Sequence, residues 1–251
     1  MRLVYLLLAF LTLGCSSDDQ ADVRYNRFVE SLKPATRMGT ISRLNQDGRS
    51  LYPAFSPGDS IVFYRRLLVA TAEDAEGRTD EELVRPYGIN VYNNDLYTLP
   101  EDYPYIRTDN IDLSRVPRRY GENTIKALES PDGKTIAFET ALGNDRDSHT
   151  IYLAREDSIT QLTYGDLPCF LERFSNTGKY ISAVCGRDPT WIIIFDLDNQ
   201  AAYRIERIES RVDFLTAFSS DDKMMAFVRS EKRFSYGLDF FGDIWLLRFN
   251  D

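Results

Sequence analysis

The chain has few side chains that could carry out acid–base or nucleophilic chemistry. His149 is the only histidine among 251 residues, so a Ser–His–Asp or Cys–His arrangement would have to include it. It stands in GNDRDSHTIYL, where a connection enters a predicted strand, and this position favours a polar loop residue over a catalytic base. The G-x-S-x-G elbow of hydrolases and the glycine motifs of phosphate sites are missing from the sequence. We therefore predict a non-catalytic protein. A hydrolase or lyase that acts through His149 is the less favoured alternative.

The acidic segments also lack the spacing of a metal site. One histidine and no paired-cysteine motif argue against the usual transition-metal arrangements. Carboxylates occur in DRDS (145–148) and DLDNQ (196–200), and neither segment fits the twelve-residue calcium loop. Asp and Asn are common turn residues between strands. We therefore predict turns at both segments and no metal or cofactor.

The first residues have the pattern of a secretion signal that ends at a cysteine. Arg2 precedes an apolar run from Leu3 to Leu13, which is too short to span about 30 Å of hydrocarbon but suits the core of a signal peptide. The run ends in LTLGC, which resembles the lipobox of bacterial lipoproteins. This resemblance implies a signal peptide over 1–14, acyl chains on Cys15 and, because Ser16 rather than Asp follows, the periplasmic leaflet of the outer membrane. An uncleaved anchor and a soluble secreted protein with a spare cysteine are the alternatives.

A tether and a short helix are predicted between the cysteine and the main domain, over 15–37. The segment SSDDQAD is polar and suits a flexible tether. In RYNRFVESL the apolar side chains share one helical face, and Pro34 ends the helix. The remaining residues, 38–251, form the predicted main domain.

Four related segments each place a tight turn between two apolar runs: AFSPGDSIVF (54–63), ESPDGKTIAF (129–138), RFSNTGKYISAV (173–184) and AFSSDDKMMAF (217–227). Their turn serines are residues 56, 130, 175 and 219, which are 74, 45 and 44 residues apart. The two shorter spacings match a four-stranded propeller blade. We predict third strands at 95–99, 150–154, 191–196 and 243–247, and fourth strands at 159–163 and 202–206.

These units resemble the TolB-like, WD-repeat-related β-propeller family over about residues 39–249, with a motif close to P-x-F-S-P-D-G-K-x-I-A-F followed by D-I-Y-L. The resemblance implies an all-β propeller of four four-stranded blades. The long first spacing is interpreted as an acidic insertion at about 65–93. The last repeat ends at its third strand, so we expect TISRLN (40–45) to complete the last blade. A closed ring is favoured, and a pair of half-rings or an open stack are the alternatives.

Cys169 and Cys185 flank the turn of the third repeat. The equivalent pairs are Thr124 with Thr140 and Asp213 with Arg229, and such pairs are typical of directly opposed neighbours on two strands. Because the periplasm is oxidising, we predict a Cys169–Cys185 disulfide, and two buried free thiols are the alternative. In the chain-entropy model a bridge across about 15 residues stabilises the fold by about 3 kcal/mol.

Two segments rich in arginine and aromatic residues are the predicted contacts for a partner. Such side chains are common anchors of protein interfaces, although aromatic packing between blades is the alternative. The candidate residues are Tyr103, Tyr105, Arg118, Arg119, Tyr120, Arg233, Phe234, Tyr236, Phe240 and Phe241.

The predicted function is that of a protein-interaction scaffold at the cell envelope. TolB-like proteins dock onto other envelope proteins, so the resemblance implies a partner of that kind. A net charge of −9 argues against nucleic acid and against electrostatic docking on anionic lipid. A propeller that binds a glycan or another small ligand is the alternative.

Overall fold

The computed structural model describes residues 27–68, 84–100, 116–117, 120, 123–142, 145–156, 158–164, 168–186, 190–206, 212–230 and 241–250. This part of the chain begins with a helical turn at 27–31. Strand β1 (Lys33–Pro34), a 3-10 helix (Ala35–Arg37) and strand β2 (Gly39–Arg43) follow. The first blade comes after them.

The first two blades are four-stranded antiparallel sheets in which the strands follow chain order. Blade one consists of β3 (Ser50–Phe55), β4 (Ile61–Leu67), β5 (Val84–Asn90) and β6 (Leu96–Thr98). Blade two consists of β7 (Thr124–Glu129), β8 (Thr135–Leu142), β9 (Asp145–Arg155) and β10 (Ser158–Gln161).

The other two blades each recruit a strand from the start of the chain. Blade three contains β11 (Cys169–Phe174), β12 (Tyr180–Cys185), β13 (Trp191–Asp196) and β14 (Ala201–Arg204), and β1 adds to β14 as a parallel fifth strand. Blade four contains β15 (Val212–Phe218), β16 (Met224–Ser230) and β17 (Asp243–Phe249), and β2 is its fourth strand. The β2–β17 pairing runs from Gly39 opposite Phe249 to Arg43 opposite Trp245. The predicted completion of the last blade by the N-terminal strand is therefore confirmed.

The third strand of blade one differs from the prediction. Residues 84–90 form that strand, and the segment at 95–99 supplies the fourth strand, Leu96–Thr98. The insertion therefore lies between Leu67 and Val84, within the predicted range of 65–93, and its residues 69–83 lie outside the described part. The segment VRPYGIN is not predicted as a strand from its sequence, because it contains Pro and Gly, which are depleted in strands.

The turn serine of each repeat closes its hairpin. Its hydroxyl oxygen accepts the backbone N–H five residues later, with N–O distances of 3.2, 2.9, 2.9 and 2.8 Å in blades one to four. All four serines are buried, and a buried hydroxyl is stable only when it is hydrogen-bonded. The turn therefore requires a small hydroxyl side chain at this position, which explains why the motif recurs.

Strand contacts arrange the blades in the order two, three, four, one. The first strands of blades three, four and one make these contacts: β11 with blade two, β15 with blade three and β3 with blade four. The largest apolar cluster joins blades one, three and four, and a second cluster joins blades two and three. Within the described residues, blades one and two share no strand contact of similar extent. The closed ring therefore stays a prediction.

Candidate functional site

Exposed apolar side chains are concentrated on blade one. Seven large hydrophobic side chains of the described residues are exposed, and five of them lie in blade one or directly follow its strand β4: Tyr52, Leu68, Tyr92, Leu96 and Tyr97. Tyr92, Leu96 and Tyr97 lie around the turn after β5 and along β6, and we call these three residues the edge patch. Tyr92 is 73% exposed and Leu96 is 53% exposed. Leu96 and Tyr97 are successive strand residues, so their side chains lie on opposite faces of the sheet and flank the strand edge from both sides.

The backbone of β6 provides hydrogen-bonding groups beside the edge patch. The Asn90 N–H donates to the carbonyl of Asp95 at 2.9 Å, and hydrogen-bonded pairs alternate along an antiparallel ladder. The N–H and C=O groups of Leu96 and Thr98 are therefore directed away from β5. Among the described residues no strand pairs with this side of β6, so within that part of the chain it is an unpaired sheet edge.

In blade three, an additional strand covers the equivalent outer edge. There β1 pairs with the outer strand, with Lys33 opposite Tyr203 and Pro34 opposite Arg204. Strand addition at the outer edge of a blade is thus part of the fold. Within the described residues, the outer strand of blade one has no such added strand.

Two of the ten predicted partner-binding residues lie in the described part of the chain. Tyr120 is half-buried and packs against Phe138 and Tyr152, with ring centroids 5.2 and 4.9 Å away. Phe241 is 7% exposed and belongs to the largest apolar cluster. Packing between secondary-structure elements accounts for both rings. The other eight lie outside the described residues: Tyr103, Tyr105, Arg118, Arg119, Arg233, Phe234, Tyr236 and Phe240.

His149 is a buried strand residue, so the expectation of a polar loop residue was wrong. It lies in β9, and its Nδ1 is 2.6 Å from Oε1 of Glu139. The other carboxylate oxygen of Glu139 accepts the Leu171 N–H at 2.7 Å. The imidazole also packs against the Phe170 ring, with the centroids 4.7 Å apart. The pair therefore connects blade two to the first strand of blade three.

The acidic segments are part of the secondary structure. The side chain of Asp196 accepts the N–H groups of Asp198 and Asn199 at 3.2 and 3.0 Å, which confirms a turn. The segment at 145–148 begins strand β9, so the turn predicted there was wrong. Among the described residues, no group of three or more His, Cys, Asp or Glu side chains could hold a metal ion. No helix within those same ranges is long and apolar enough to cross a membrane.

The cysteine pair and its equivalents are directly opposed, as their spacing predicted. The cross-strand pairs are Ser50 with Arg66, Thr124 with Thr140, Cys169 with Cys185, and Asp213 with Arg229. Cys169 and Cys185 form a disulfide in the structure. The same geometric position thus carries a hydroxyl pair, a covalent bond or an ion pair in different blades.

The ion pair of blade four is buried and bidentate. Nε and Nη2 of Arg229 donate to the two carboxylate oxygens of Asp213 at 2.5 and 2.6 Å, and both side chains are 3% exposed. Arg229 also donates to the Glu206 carbonyl at 3.1 Å, and its guanidinium lies 5.0 Å from the Trp245 ring centroid. These contacts compensate the desolvation of the two charges.

A polar network holds the loop between β2 and β3 against blade four. Asp243 pairs with Arg43 and accepts the Gly48 N–H at 2.8 Å. The side-chain oxygen of Asn45 accepts the Ile244 N–H at 2.7 Å. Burial raises the pKa of Asp243, while the Gly48 N–H and the Arg43 charge act in the opposite direction. The network fixes the junction of blades four and one.

Glu172 lies at a β-bulge in the first strand of blade three. Burial raises its pKa, and the charges of Lys126 and Arg173 partly oppose this effect. A carboxyl whose pKa is raised by folding contributes stability that is fully present below its unfolded pKa of about 4.3 and is lost as pH rises through the folded pKa. The ionised form therefore weakens the fold at neutral pH.

We expect Glu172→Gln to raise the thermal midpoint at pH 7 and to leave it nearly unchanged at pH 3.5. The amide keeps the shape of the protonated carboxyl but does not ionise. Thermal denaturation followed by circular dichroism at pH 7 and at pH 3.5 measures the midpoint of each variant. Glu30→Gln, which changes an exposed glutamate, is the control. A stabilisation that is equal at both pH values would contradict the assignment.

The fold defines the class of protein: a four-bladed β-propeller domain whose last blade is completed by an N-terminal strand. Solved structures similar to the chain include TolB from Acinetobacter baumannii, at 16% identity and a TM-score of 0.32, with 76% of this chain and 38% of that chain covered. The repeat motif predicted a likeness to TolB. No protein-family model and no curated protein sequence matches the chain.

Other similar structures come from enzymes. The β-propeller domain of the Trilobed protease from Pyrococcus furiosus matches at 14% identity and a TM-score of 0.32, over 72% of this chain and 48% of that one. Oligogalacturonate lyase in complex with manganese matches at 9% identity and a TM-score of 0.34, over 79% of this chain and 65% of that one. The chain thus spans less than two thirds of each of these structures. A likeness of this degree does not transfer function.

Proposed function

We propose that this protein is a non-catalytic lipoprotein of the outer membrane's periplasmic leaflet, and that its propeller binds a protein partner. The observation that carries the proposal is the edge patch, Tyr92, Leu96 and Tyr97, beside a sheet edge with which no described strand pairs. A rigid scaffold with one apolar, hydrogen-bonding edge is suited to binding an extended segment. The buried His149–Glu139 pair connects two blades and has a structural role.

The partner binds by adding a strand to β6. The outward N–H and C=O groups of Leu96 and Thr98 pair with the backbone of the partner, as in other cases of β-strand addition. Apolar side chains of the partner cover the edge patch. Burial of this surface stabilises the complex by roughly 25 cal/mol per Å² of apolar area.

The anchor and the partner use separate blades. The helical turn at 27–31 packs on the cluster of blades two and three, where the Phe28 and Tyr164 rings are 6.0 Å apart. A tether from an acylated Cys15 reaches the domain at this position. Blade one carries the edge patch and stays accessible when the chain is anchored.

Site-specific photo-crosslinking in intact cells tests the proposal. A photoreactive amino acid replaces Tyr97 in the full chain, or Gln161 at the outer strand of blade two as the matched control. We expect one dominant envelope protein to be crosslinked from position 97 and not from position 161. Thr98→Pro removes an outward N–H and should lower the yield about tenfold. Gln161→Pro should have no such effect.

Two results would overturn the proposal. Equal crosslinking from positions 97 and 161 would rule out the edge patch as the binding site. A crosslinking yield at position 97 that does not change with Thr98→Pro would rule it out as well. A Cys15→Ser chain tests the anchor in the same cells. It should appear in the soluble fraction, and its retention in membranes would contradict lipidation.

A further inference from the structure

A polar groove opens between blades two and three at the face where the serine turns lie. Its volume is about 580 Å³, within the range of roughly 300–1,000 Å³ that is typical of small-molecule sites. Blade two contributes residues of the turn at 130–135 together with Arg155, Glu156 and Ser158, and blade three contributes 177–179 and Asp198. No described residue that lines the groove has an aromatic or large apolar side chain. The groove therefore suits a polar ligand.

At the junction of blades three and four, an aspartate joins the two turns. Asp222 lies three residues after the turn serine of blade four. Its carboxylate accepts the N–H groups of Asn176 and Thr177, at 2.8 and 3.1 Å, from the turn of blade three. The side chain thus occupies the space between adjacent turns.

The junction of blades four and one uses the same arrangement. Asp59, three residues after the serine of blade one, accepts the Ser220 N–H with both oxygens at 2.9 Å. Asp59 and Asp222 both have a positive φ, 57° and 56°, a conformation that Asp adopts more readily than most residues.

The junction of blades two and three lacks this contact. Gly178 stands where the aspartates stand, with a φ of +80°. The preceding turn has Pro131 in the first position after the serine, and proline has no N–H to donate. A Cβ atom at 178 would lie 3.4 Å from Cδ of Pro131. The groove is therefore found where the carboxylate that joins the other turns is missing.

The side chains of the groove fit an anion that also carries hydroxyl groups. Lys134, Arg155 and Lys179 line it, and Arg and Lys bind carboxylate and phosphate groups. Three acidic residues, Asp132, Glu156 and Asp198, line it as well, and carboxylates accept hydrogen bonds from hydroxyl groups. An anionic end and a hydroxylated body together match this set of side chains.

We propose that this groove is a binding site for a small polyhydroxylated anion, a sugar acid or a sugar phosphate. Its anionic group binds Lys134, Arg155 and Lys179, and its hydroxyl groups bind Glu156 and Asp198. The two lysines are the final residues of the repeated turn motif in blades two and three. The site is independent of the edge patch, so each proposal can fail without the other.

Isothermal titration calorimetry of the full chain in detergent tests the site with glucuronate, glucose 6-phosphate and glucose. We expect binding of at least one anion, and which one binds identifies the group that the groove selects. Neutral glucose should not bind. Lys134→Gln combined with Arg155→Gln should weaken binding tenfold or more, because two charge-assisted contacts are lost. Lys223→Gln changes the equivalent lysine of blade four, outside the groove, and should leave affinity unchanged.

Gly178→Asp is the sharpest single substitution. It introduces the residue that the junctions of blades three and four and of blades four and one carry at this position, so the thermal midpoint should stay within a few degrees of wild type while anion binding is lost. Absence of binding with both anions at 10 mM, about the weakest affinity of interest, would overturn the proposal. Binding that the double substitution affects no more than Lys223→Gln does would also overturn it.

Discussion

Arg229→Met is expected to lower the free energy of unfolding by about 3–5 kcal/mol, the usual effect of removing one partner of a buried ion pair. Asp213 is 3% exposed, and both of its oxygens accept hydrogen bonds from Arg229. Without the guanidinium, the Asp213 carboxylate loses both of these charge-assisted hydrogen bonds while it stays buried in blade four. Urea denaturation followed by circular dichroism measures the loss.

A double substitution distinguishes the charge from the packing. Asp213→Thr with Arg229→Thr recreates the directly opposed threonine pair that blade two has at this position, Thr124 and Thr140. We expect the double variant to be more stable than Arg229→Met, because no charge is left buried. If Arg229→Met lowers the free energy of unfolding by less than about 1 kcal/mol, the ion pair contributes no more than an exposed pair does. That result would contradict its role in stabilising blade four.

Gly39→Ala is expected to destabilise the protein by about 3 kcal/mol or more, at the upper end of single substitutions. Gly39 begins β2, which completes blade four. A Cβ atom there would lie 1.7 Å from the carbonyl oxygen of Arg248, so the two backbones must separate. The β2–β17 pairing weakens, and the network around Asp243 weakens with it.

Hydrogen exchange of the β17 amides, together with urea denaturation, measures this effect. Thr40→Ala is the control, because Thr40 lies on the same strand and its side chain is exposed. We expect Thr40→Ala to change stability by less than about 0.5 kcal/mol, as is usual at surface positions. Equal effects of the two substitutions would show that the close contact at Gly39 is not important for closing the blade.

Local patterns were enough to predict the first hairpin of each blade. The serine turns, the alternating strands and the opposed pairs depend on contacts within about twenty residues of the chain. The hairpin register is set by the turn, which is why Cys169 and Cys185 could be placed opposite each other. The strand predicted at 40–45 precedes the first repeat and is part of none of the four. It could be assigned to the last blade because the last repeat lacks a fourth strand.

Contacts between distant segments were harder to predict. Strand β5 contains Pro86 and Gly88, which mask its strand character, and its identity depends on pairing with β4 and β6. His149 looks like a loop residue in the sequence. In the fold it is buried beside Glu139, which binds blade three through the Leu171 N–H, and against Phe170.

The sequence by itself determined the number of blades, the hairpin turns and the strand that completes the last blade, because hydrophobic alternation and turn chemistry are local. Only the tertiary structure decided which surfaces are open. The edge patch is exposed because no described strand covers β6, and the groove exists because Gly178 faces Pro131 across a blade junction. Both depend on how sheets pack against each other, and side-chain periodicity within one strand carries no information about that packing.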